Sequence, residues 1–257
     1  MSILLRHDTG TVATLTLNRP AARNALSIGL MTALDAELEK IAADPAIHVV
    51  ILAAAGPGFC AGHDMREMRA TPTRAAYEDV FAVCTRLMRR IVALPKPVIA
   101  RVHGAASAAG CQLVATCDLA IAGESARFAT PGVNIGLFCS TPMVALTRAV
   151  GRKAAMEMLL TGDLIDARKA QEIGLINRVV ADEDLDGAVM ALARQIASKS
   201  PLTLAIGKQA FYGQAEMDIA SAYEHAAKVM TENMLANDAA EGIDAFLEKR
   251  PPVWSGT

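Results

Sequence analysis

The stretch PVIARVHGAASAAGCQL, residues 97–113, joins a short apolar run to a turn built almost entirely of small residues. The apolar run at 97–102 is bounded by proline and glycine, as is typical of a strand buried on both faces. Seven small residues follow at 104–110, and the pattern predicts a helix that begins at about Ala108. Small residues let the backbone approach a ligand closely, and the N–H groups of a first helical turn point outward with the positive end of the helix dipole. We therefore expect a buried strand, a ligand-binding turn and the start of a helix.

A second turn of the same kind, GPGFCAGHD at 56–64, follows another continuous apolar run at 49–55. The carboxyl ends of parallel strands lie at one edge of a sheet, where ligands usually bind. The two turns are therefore expected to direct two backbone N–H donors at one oxygen atom, each donor contributing about 3 kcal/mol to stabilising an oxyanion. The alternative is that both stretches are tight turns where elements pack closely.

The remaining pattern indicates an α/β core followed by helices. Alternation at 12–17 predicts a strand that Pro20 ends, and Ser27 can cap a helix with apolar residues at three- and four-residue spacing. A helix is also predicted over 73–94 and a third buried strand over 117–123. From about residue 140 the pattern is mainly helical.

These patterns divide the chain into an α/β core over residues 1–195 and a helical C-terminal region over residues 196–257. Hydrophobic residues make up 53% of the chain and charged residues 20%, which favours a homo-oligomer that hides apolar surface. The net charge of -2 offers no basic field for a nucleic-acid backbone, so nucleic acid is not expected as a partner. No apolar run reaches the length of a membrane span, and no membrane partner is expected.

The five cysteines are widely spaced and form no CxxC pair, so we expect reduced thiols rather than a zinc site or a disulfide framework. The opening MSILLRHDTG contains Arg, His and Asp too early for a secretory signal. The sequence thus predicts a soluble, cytoplasmic protein. An organellar form without its transit peptide would have the same pattern.

Other motif interpretations of the two turns are weaker. GPGFCAG has the spacing GxGxxxG rather than the GxGxxG of dinucleotide sites, and the chain has no GxxxxGK[ST] phosphate loop. Ser107 stands in GxxSxxG rather than in the GxSxG of a nucleophile elbow. His63 and His103 lie in the turns and are candidate bases, although each can equally be a hydrogen-bonded or solvated loop histidine.

The turns, their order and several further motifs resemble the enoyl-CoA hydratase/isomerase, or crotonase, superfamily. The resemblance covers nearly the whole chain and includes LNRPAARNALS, PKPVIARVHG, CDLAIAGESARFATP and LTRAVGRKAAMEMLLTGDLIDARKAQEIGLINRVV. PGVNIGLFCSTP and the ending EKRPPVW are similar to the branch called enoyl-CoA hydratase domain-containing protein 3. The resemblance implies a ββα spiral with helical C-terminal elements, and a homotrimer or a dimer of trimers. It also implies an acyl-CoA substrate, with coenzyme A as part of the substrate and no separate cofactor.

The resemblance also implies roles for individual residues. The backbone N–H groups of His63 and Ala109 correspond to the oxyanion donors, with Gly110 next to the second one. Gln112 and Gly132 stand where hydratases of the superfamily carry two glutamates. A glutamine can hold a water molecule but cannot act as a base, and each missing acid–base group costs about 10²- to 10⁴-fold in rate.

Further residues are implied around the thioester and coenzyme A. The segment around 134–141 is where superfamily members place alternative catalytic side chains, and it contains Asn134, Cys139, Ser140 and Thr141. Cys139 is a conceivable nucleophile, although an isolated cysteine usually fills apolar space. The implied substrate-binding residues are Arg23, Ala61, Gly62, Asp64, Arg66, Asn134, Phe138 and Lys208. Lys208 lies in a tail helix that is expected to reach the nucleotide of a neighbouring subunit.

Four of these residues have a plain structural alternative. Asp64 is expected to hold its loop rather than to react. The cations Arg23, Arg66 and Lys208 suit the phosphates of coenzyme A, but each can equally be a solvated surface charge.

Two functions follow from these observations. The first is an enzyme of the enoyl-CoA hydratase/isomerase type that stabilises a thioester enolate in a backbone oxyanion hole, with ordinary hydratase activity in doubt. The second is an acyl-CoA-binding oligomer with little or no catalysis. Turnover of CoA esters distinguishes the two.

Overall fold

The computed structural model describes residues 2–257 of the chain. Its strands are β1 (Leu4–Thr9), β2 (Val12–Leu17), β3 (Val49–Ala54), β4 (Val98–Val102), β5 (Ala105–Ser107), β6 (Leu119–Gly123), β7 (Arg127–Ala129), β8 (Ile165–Asp166) and β9 (Arg178–Val180). Its α-helices are α1 (Ile28–Ala43), α2 (Met65–Ala70), α3 (Arg74–Ala93), α4 (Ala109–Thr116), α5 (Pro142–Ala149), α6 (Arg152–Thr161), α7 (Ala167–Glu172), α8 (Leu185–Ala197), α9 (Pro201–Gln214), α10 (Ile219–Met234) and α11 (Asn237–Glu248). Short 3-10 helices lie at Pro20–Ala22, Pro131–Ile135 and Asp182–Asp184.

The larger sheet has six strands in the order β1-β2-β3-β4-β6-β9. β1 pairs with β2 antiparallel, and all other neighbours in this sheet are parallel. The parallel strands are continuous apolar runs because both faces of the sheet are covered. In β3, for example, Val50 and Leu52 belong to the main core, whereas Val49 and Ile51 pack in a second cluster with residues of α8. The predicted strands at 12–17, 49–55, 97–102 and 117–123 are confirmed to within two residues.

A second sheet of three strands, in the order β5-β7-β8, stands beyond the carboxyl end of β4. The sequence analysis did not predict this sheet or β1, because β5, β7 and β8 are too short to carry a period. Gly104 makes the bend between β4 and β5 with φ +56°, and a Cβ there would lie 2.9 Å from the Cα of Gly58. The second small-residue turn thus folds back against the first.

The helices α1 and α3 begin where the sequence predicts. The Ser27 side chain accepts the N–H of Leu30 at the start of α1, and the predicted helix at 73–94 corresponds to α3. α4 begins at Ala109 rather than at Ala108, because Ala108 has φ +50° and ψ -118°. The turn therefore continues one residue further than predicted.

The C-terminal helices α9 to α11 contain few buried residues, and many large apolar side chains on or beside them are exposed. The largest exposed fractions belong to Phe211, Ile219, Tyr223, Leu235, Phe246 and Leu247, all above 60%. Within residues 2–257, no helix is both long enough and apolar enough to cross a bilayer.

Candidate active site

The two small-residue turns meet, as the sequence predicts. Cys60 and Ala106 form a parallel bridge in which the N–H of Cys60 donates to Ala105 and the N–H of Ser107 donates to Cys60. These N···O distances are 3.0 and 2.9 Å. Gly110 follows on α4 and packs so closely that a Cβ would overlap the carbonyl oxygen of Cys60. Small residues are therefore required here by the close packing of the two turns.

His63 and Ala109 present backbone N–H groups on adjoining segments. Gly62, at φ +99°, packs on the other turn, and a Cβ on it would lie 3.3 Å from the backbone nitrogen of Ala109. Ala109 is the first residue of α4, so its N–H has no acceptor within the helix. Among the described residues, no protein acceptor pairs with the N–H of His63 or of Ala109. The two groups remain available to an external oxygen atom, and the positive end of the α4 dipole lies beside them.

Ala108 holds the turn in a strained conformation. Its φ of +50° lies in the region that favours glycine, yet the residue is alanine. Its N–H donates to the carbonyl of Ala129 at 2.9 Å, and its carbonyl accepts the N–H of Gln112 at 3.0 Å. These two bonds hold the peptide that carries the Ala109 N–H in a defined direction. Backbone strain of this kind is common at binding sites.

Gln112 lies one turn into α4 and is buried, with 5% of its surface exposed. Its Oε1 accepts a weak hydrogen bond from the Cys84 thiol of α3, with an S···O distance of 3.9 Å. Gly132 is also buried, in the 3-10 helix Pro131–Ile135. A Cβ on Gly132 would lie 2.6 Å from the carbonyl oxygen of Leu137 and 2.9 Å from Cys139 Sγ. A glutamate at position 132 is therefore blocked by backbone.

The two turn histidines differ in their surroundings. Both ring nitrogens of His103 are engaged, Nε2 with the carbonyl of Gly56 at 2.8 Å and Nδ1 with Arg101 at 2.9 Å. His103 is therefore a hydrogen-bonded loop histidine. The His63 ring packs edge-to-face on Phe81 of α3, with ring centroids 5.6 Å apart. Its Nε2 is buried without a partner among the described residues, and burial lowers the pKa of the imidazole to about 4.

Asp64 has a structural role. Its Oδ1 caps α2 by accepting the N–H groups of Arg66 and Glu67, and its Oδ2 pairs with Arg19 at 2.9 Å. Burial acts to raise the pKa of this carboxyl, but the Arg19 guanidinium and the two N–H donors outweigh it, so the pKa is lowered. A carboxylate engaged in this way is a poor base.

Cys139 and Ser140 are also accounted for. Cys139 is buried, and desolvation raises the pKa of its thiol although the N–H of Gly132 opposes the shift. It therefore fills apolar space rather than acting as a thiolate nucleophile. The Ser140 hydroxyl is exposed and donates to the carbonyl of Phe138 at 3.3 Å.

Five of the expected binding residues lie at the surface of these loops. They are Arg23, Ala61, Arg66, Asn134 and Phe138, and all are exposed. Arg23 is in the left-handed region with φ +50°, and its carbonyl accepts the N–H of Ala61, which connects it to the first turn.

The Lys208 side chain is neither a solvated surface charge nor a free cation for a neighbouring subunit's nucleotide, because it is buried and engaged within its own chain. Its Nζ donates to Asp118 Oδ2 and to the carbonyls of Ile91 and Lys96, at 2.7, 2.8 and 3.0 Å. The side chain is only 6% exposed. An ammonium has three N–H donors, and here all three are used.

Several residues beside the site were not found from the sequence. Phe81 and Cys84 of α3 contact His63 and Gln112, but the sequence indicated only that residues 73–94 form a helix. The Thr130 hydroxyl is buried without a partner in the described part of the chain. The five cysteines are free and buried, and within residues 2–257 no group of three or more His, Cys, Asp or Glu side chains is placed to hold a metal ion.

Comparisons with known proteins agree with this architecture. The enoyl-CoA hydratase/isomerase family model matches residues 7–257. Human enoyl-CoA hydratase domain-containing protein 3, mitochondrial, is 46% identical over 95% of this chain and 80% of that protein, and 2,3-dehydroadipyl-CoA hydratase of Escherichia coli is 37% identical over 100% of both. The crystal structure of an enoyl-CoA hydratase from Mycobacterium smegmatis superposes with a TM-score of 0.97 at 54% identity, covering 99% of both chains. That of human enoyl-CoA hydratase domain-containing protein 3 superposes with a TM-score of 0.96 at 43% identity, covering 98% of this chain and 100% of the other.

These comparisons confirm the crotonase-like fold and the resemblance to the domain-containing protein 3 branch. They contradict the prediction of a cytoplasmic location. The relatives of that branch from zebrafish, rat, mouse and human are all named mitochondrial. A mature organellar chain and a cytoplasmic chain have the same kind of composition, so the sequence pattern could not distinguish the two locations.

Proposed function

Because this chain belongs to the enoyl-CoA hydratase/isomerase family, we propose that it binds the thioester of an acyl-CoA and stabilises its enolate. The thioester oxygen lies between the N–H groups of His63 and Ala109. The observation that carries the proposal is that these two N–H groups lie on adjoining segments and have no protein acceptor among the described residues. No separate cofactor is needed, since coenzyme A enters as part of the substrate.

The chemistry follows from the charge that develops on the thioester oxygen. When a proton leaves the α-carbon, or when a nucleophile adds to the β-carbon of an enoyl thioester, negative charge moves onto this oxygen. Two preorganised N–H donors and the positive end of α4 stabilise that charge more than they stabilise the neutral carbonyl. Neither donor requires a side chain, so an alanine at position 109 serves as well as a glycine.

Hydration is expected to be slow because the site lacks the usual carboxylates. Gln112 offers a carboxamide, and Gly132 offers no side chain. Asp64 is held by Arg19 and by the N terminus of α2. Polarising the carbonyl without moving protons lowers only part of the barrier.

The same observation favours a second candidate, an acyl-CoA-binding oligomer with little or no turnover. The experiment that separates the two measures both binding and turnover for saturated, 2-enoyl and 3-enoyl CoA esters. Binding of any ester raises the melting temperature, because a ligand selective for the folded state stabilises it. Turnover of an enoyl ester supports the enzyme, and binding without turnover supports the second candidate. The absence of any shift or heat of binding with every ester contradicts both.

We also propose a homotrimer or a dimer of trimers. The exposed apolar side chains on and beside α9 to α11 support this assembly, because a monomer rarely exposes so large an apolar surface. Sedimentation showing a monomer at micromolar concentration contradicts the assembly.

Arg23 and Arg66 are exposed cations near the first turn and suit the phosphates of coenzyme A.

A further inference from the structure

The peptide that carries the His63 N–H is held by the segment that follows β2, residues 19–26. The N–H of Leu26 donates to the carbonyl of Gly62 at 2.7 Å, and the N–H of Asp64 donates to the carbonyl of Leu26 at 3.1 Å. Leu26 and His63 thus form a parallel bridge. The Gly62 carbonyl and the His63 N–H belong to one planar trans peptide and point in opposite directions. The bond from Leu26 therefore sets the direction of the His63 N–H.

The second N–H group, that of Ala109, is directed by a bond of the same kind. The carbonyl of Ala108 accepts the N–H of Gln112, and this bond lies within a single turn of α4. The bond from Leu26 instead joins two segments that are distant along the chain. The direction of the His63 N–H therefore depends on the contacts that hold Leu26 in place.

Arg19 and Asn24 close the loop that leads to Leu26. The N–H of Arg19 donates to Asn24 Oδ1 at 2.8 Å, and the N–H of Asn24 donates to the carbonyl of Arg19 at 2.9 Å. Asn24 is fully buried, and its Nδ2 donates to the carbonyls of Ala55 and Gly58 at 2.8 and 3.0 Å. Its φ of +54° lies in the left-handed region, which asparagine tolerates better than most residues. The loop is thereby joined to the end of β3 and to the first turn.

The Arg19 guanidinium connects this loop to the residue after the donor. One of its nitrogens donates to the carbonyl of Ala25, and another pairs with Asp64 Oδ2 at 2.9 Å. Ala25 directly precedes Leu26, and Asp64 directly follows His63. Because a guanidinium presents its N–H donors in a rigid plane, this one side chain fixes the two sides of the bridge relative to each other.

We propose that Arg19 and Asn24 are positioning residues that aim the backbone N–H of His63 at the thioester oxygen. The inference rests on the proposed function, because the His63 N–H must meet that oxygen. Both residues act through Leu26 and Asp64 and are not required to touch the substrate. A preorganised donor stabilises the charge on the oxygen without reorganising during the reaction, and a donor that turns away loses this interaction.

The test measures the carbonyl stretching frequency of bound butyryl-CoA and bound palmitoyl-CoA by infrared difference spectroscopy, with an isotope label at the carbonyl carbon. Hydrogen bonds to the carbonyl oxygen lower this frequency, so the displacement on binding reports the two donors rather than the stability of the fold. In Arg19→Met the displacement is expected to fall by about half, because one of the two donors is misdirected. The dissociation constant is expected to rise by less than about tenfold, as for the loss of one hydrogen bond.

Arg6→Met is the matched control. Arg6 has nearly the same side-chain exposure as Arg19, 25% against 23%, and also pairs with carboxylates. Its partners are Asp8, Glu37 and Asp44 rather than residues of either turn. The control variant is expected to keep the full displacement, even where its melting temperature falls as far as that of Arg19→Met.

Three further variants test the same network. Arg19→Lys keeps a cation for Asp64 but lacks the planar fork, so it is expected to restore part of the displacement. Asn24→Asp keeps the acceptor for the Arg19 N–H and removes both Nδ2 donors, so it is expected to reduce the displacement as Arg19→Met does. Melting curves show which variants are folded. If Arg19→Met is not, Asp64→Asn breaks the same ion pair with a side chain of the same shape.

The outcomes separate the inference from the function on which it rests. Full displacement in a folded Arg19→Met or Asn24→Asp variant overturns the positioning role and leaves the thioester site intact. An equal loss in Arg6→Met also overturns it, because a general loosening of the fold then accounts for the effect. If neither ester binds the unmodified chain, or if both bind without any displacement, the proposed function is wrong and the inference with it.

Discussion

Lys208 of α9 is joined to Asp118 by a buried ion pair of 2.7 Å that crosses 90 positions of the sequence. The same carboxylate accepts the hydroxyl of Tyr212 at 2.9 Å and the N–H of Val98 at 2.7 Å. One carboxylate thus connects the first C-terminal helix to the start of β4. These contacts anchor α9 to the sheet.

Lys208→Met is expected to lower the free energy of unfolding by about 3–5 kcal/mol, because it leaves the buried Asp118 carboxylate without its partner. Burial lowers the pKa of Lys208 although Asp118 opposes the shift, so the ammonium is held at a desolvation cost that the ion pair and two backbone carbonyls offset. Chemical denaturation measures the loss. Lys153→Met, at an exposed position on α6, is the control and should change stability by less than about 0.5 kcal/mol. A variant that stays stable but loses affinity for CoA esters would show that Lys208 binds the nucleotide after all.

Gly132→Ala is expected to destabilise the fold by about 1–3 kcal/mol, the usual cost of overpacking. The added Cβ would lie 2.6 Å from the carbonyl oxygen of Leu137, and backbone cannot rotate away as a side chain can. Gly187→Ala in α8 is the matched control, because nothing lies within 4 Å of its Cβ position. Because this glycine is helical, its replacement by alanine should raise the free energy of unfolding by about 0.5–1 kcal/mol. Equal melting temperatures for the two variants would contradict the crowding at Gly132.

Gln112→Glu is expected to raise the rate of crotonyl-CoA hydration by about 10- to 100-fold, because one carboxylate restores part of the acid–base help. Adding Gly132→Glu would place the second carboxylate at its position in the sequence, but the carbonyl of Leu137 obstructs the side chain. We therefore expect the double variant to be less stable and to hydrate crotonyl-CoA no faster than Gln112→Glu. Gln112→Met is the control and should hydrate crotonyl-CoA no faster than the unmodified chain. The rate is followed by loss of the conjugated thioester absorbance. If the unmodified chain already hydrates crotonyl-CoA as fast as Gln112→Glu, the carboxylates are not limiting.

His63 should weaken the fold in acid. Its pKa falls from the ordinary 6.5 to about 4 on folding because burial disfavours the imidazolium, so the unfolded chain binds the proton more readily. The free energy of unfolding therefore has its full value above pH 6.5, where His63 is neutral in both states, and it decreases as the pH falls towards 4. Across that window the unmodified chain should lose about 3 kcal/mol more than His63→Phe. Urea denaturation at several pH values measures the difference, and an NMR titration of His63 with a midpoint near 6.5 would refute it.

Ala108→Gly is expected to stabilise the protein by up to about 1 kcal/mol. The alanine has φ +50°, which costs an L-residue about 1–2 kcal/mol, and glycine removes that strain at the expense of some chain entropy. Ala109→Gly is the comparison. Because Ala109 is helical, this change should lower the free energy of unfolding by about 0.5–1 kcal/mol. A loss of stability in both variants would mean that the Ala108 methyl contributes more by packing than its backbone costs.

The sequence by itself determined the parallel strands, the first helices and the meeting of the two small-residue turns. Short continuous apolar runs such as 49–55 and 97–102, bounded by glycine or proline, are typical of strands covered on both faces. The small residues after them allow a close approach of backbone that larger residues forbid. These features depend on neighbours along the chain. The motifs carried the family resemblance for the same reason, since each motif is a local requirement of the fold.

Only the tertiary structure decided which side chains of the site are free. Lys208, Asp64 and His103 have the residue types expected of a binding site, but each is occupied by partners that are distant in sequence, Asp118, Arg19 and the carbonyl of Gly56. His63 is one of five histidines in the sequence, and only the structure shows that its Nε2 is buried without a partner and that its ring packs on Phe81. Charge and hydrogen-bonding state depend on burial and on long-range contacts, and no periodicity or spacing along the chain encodes them.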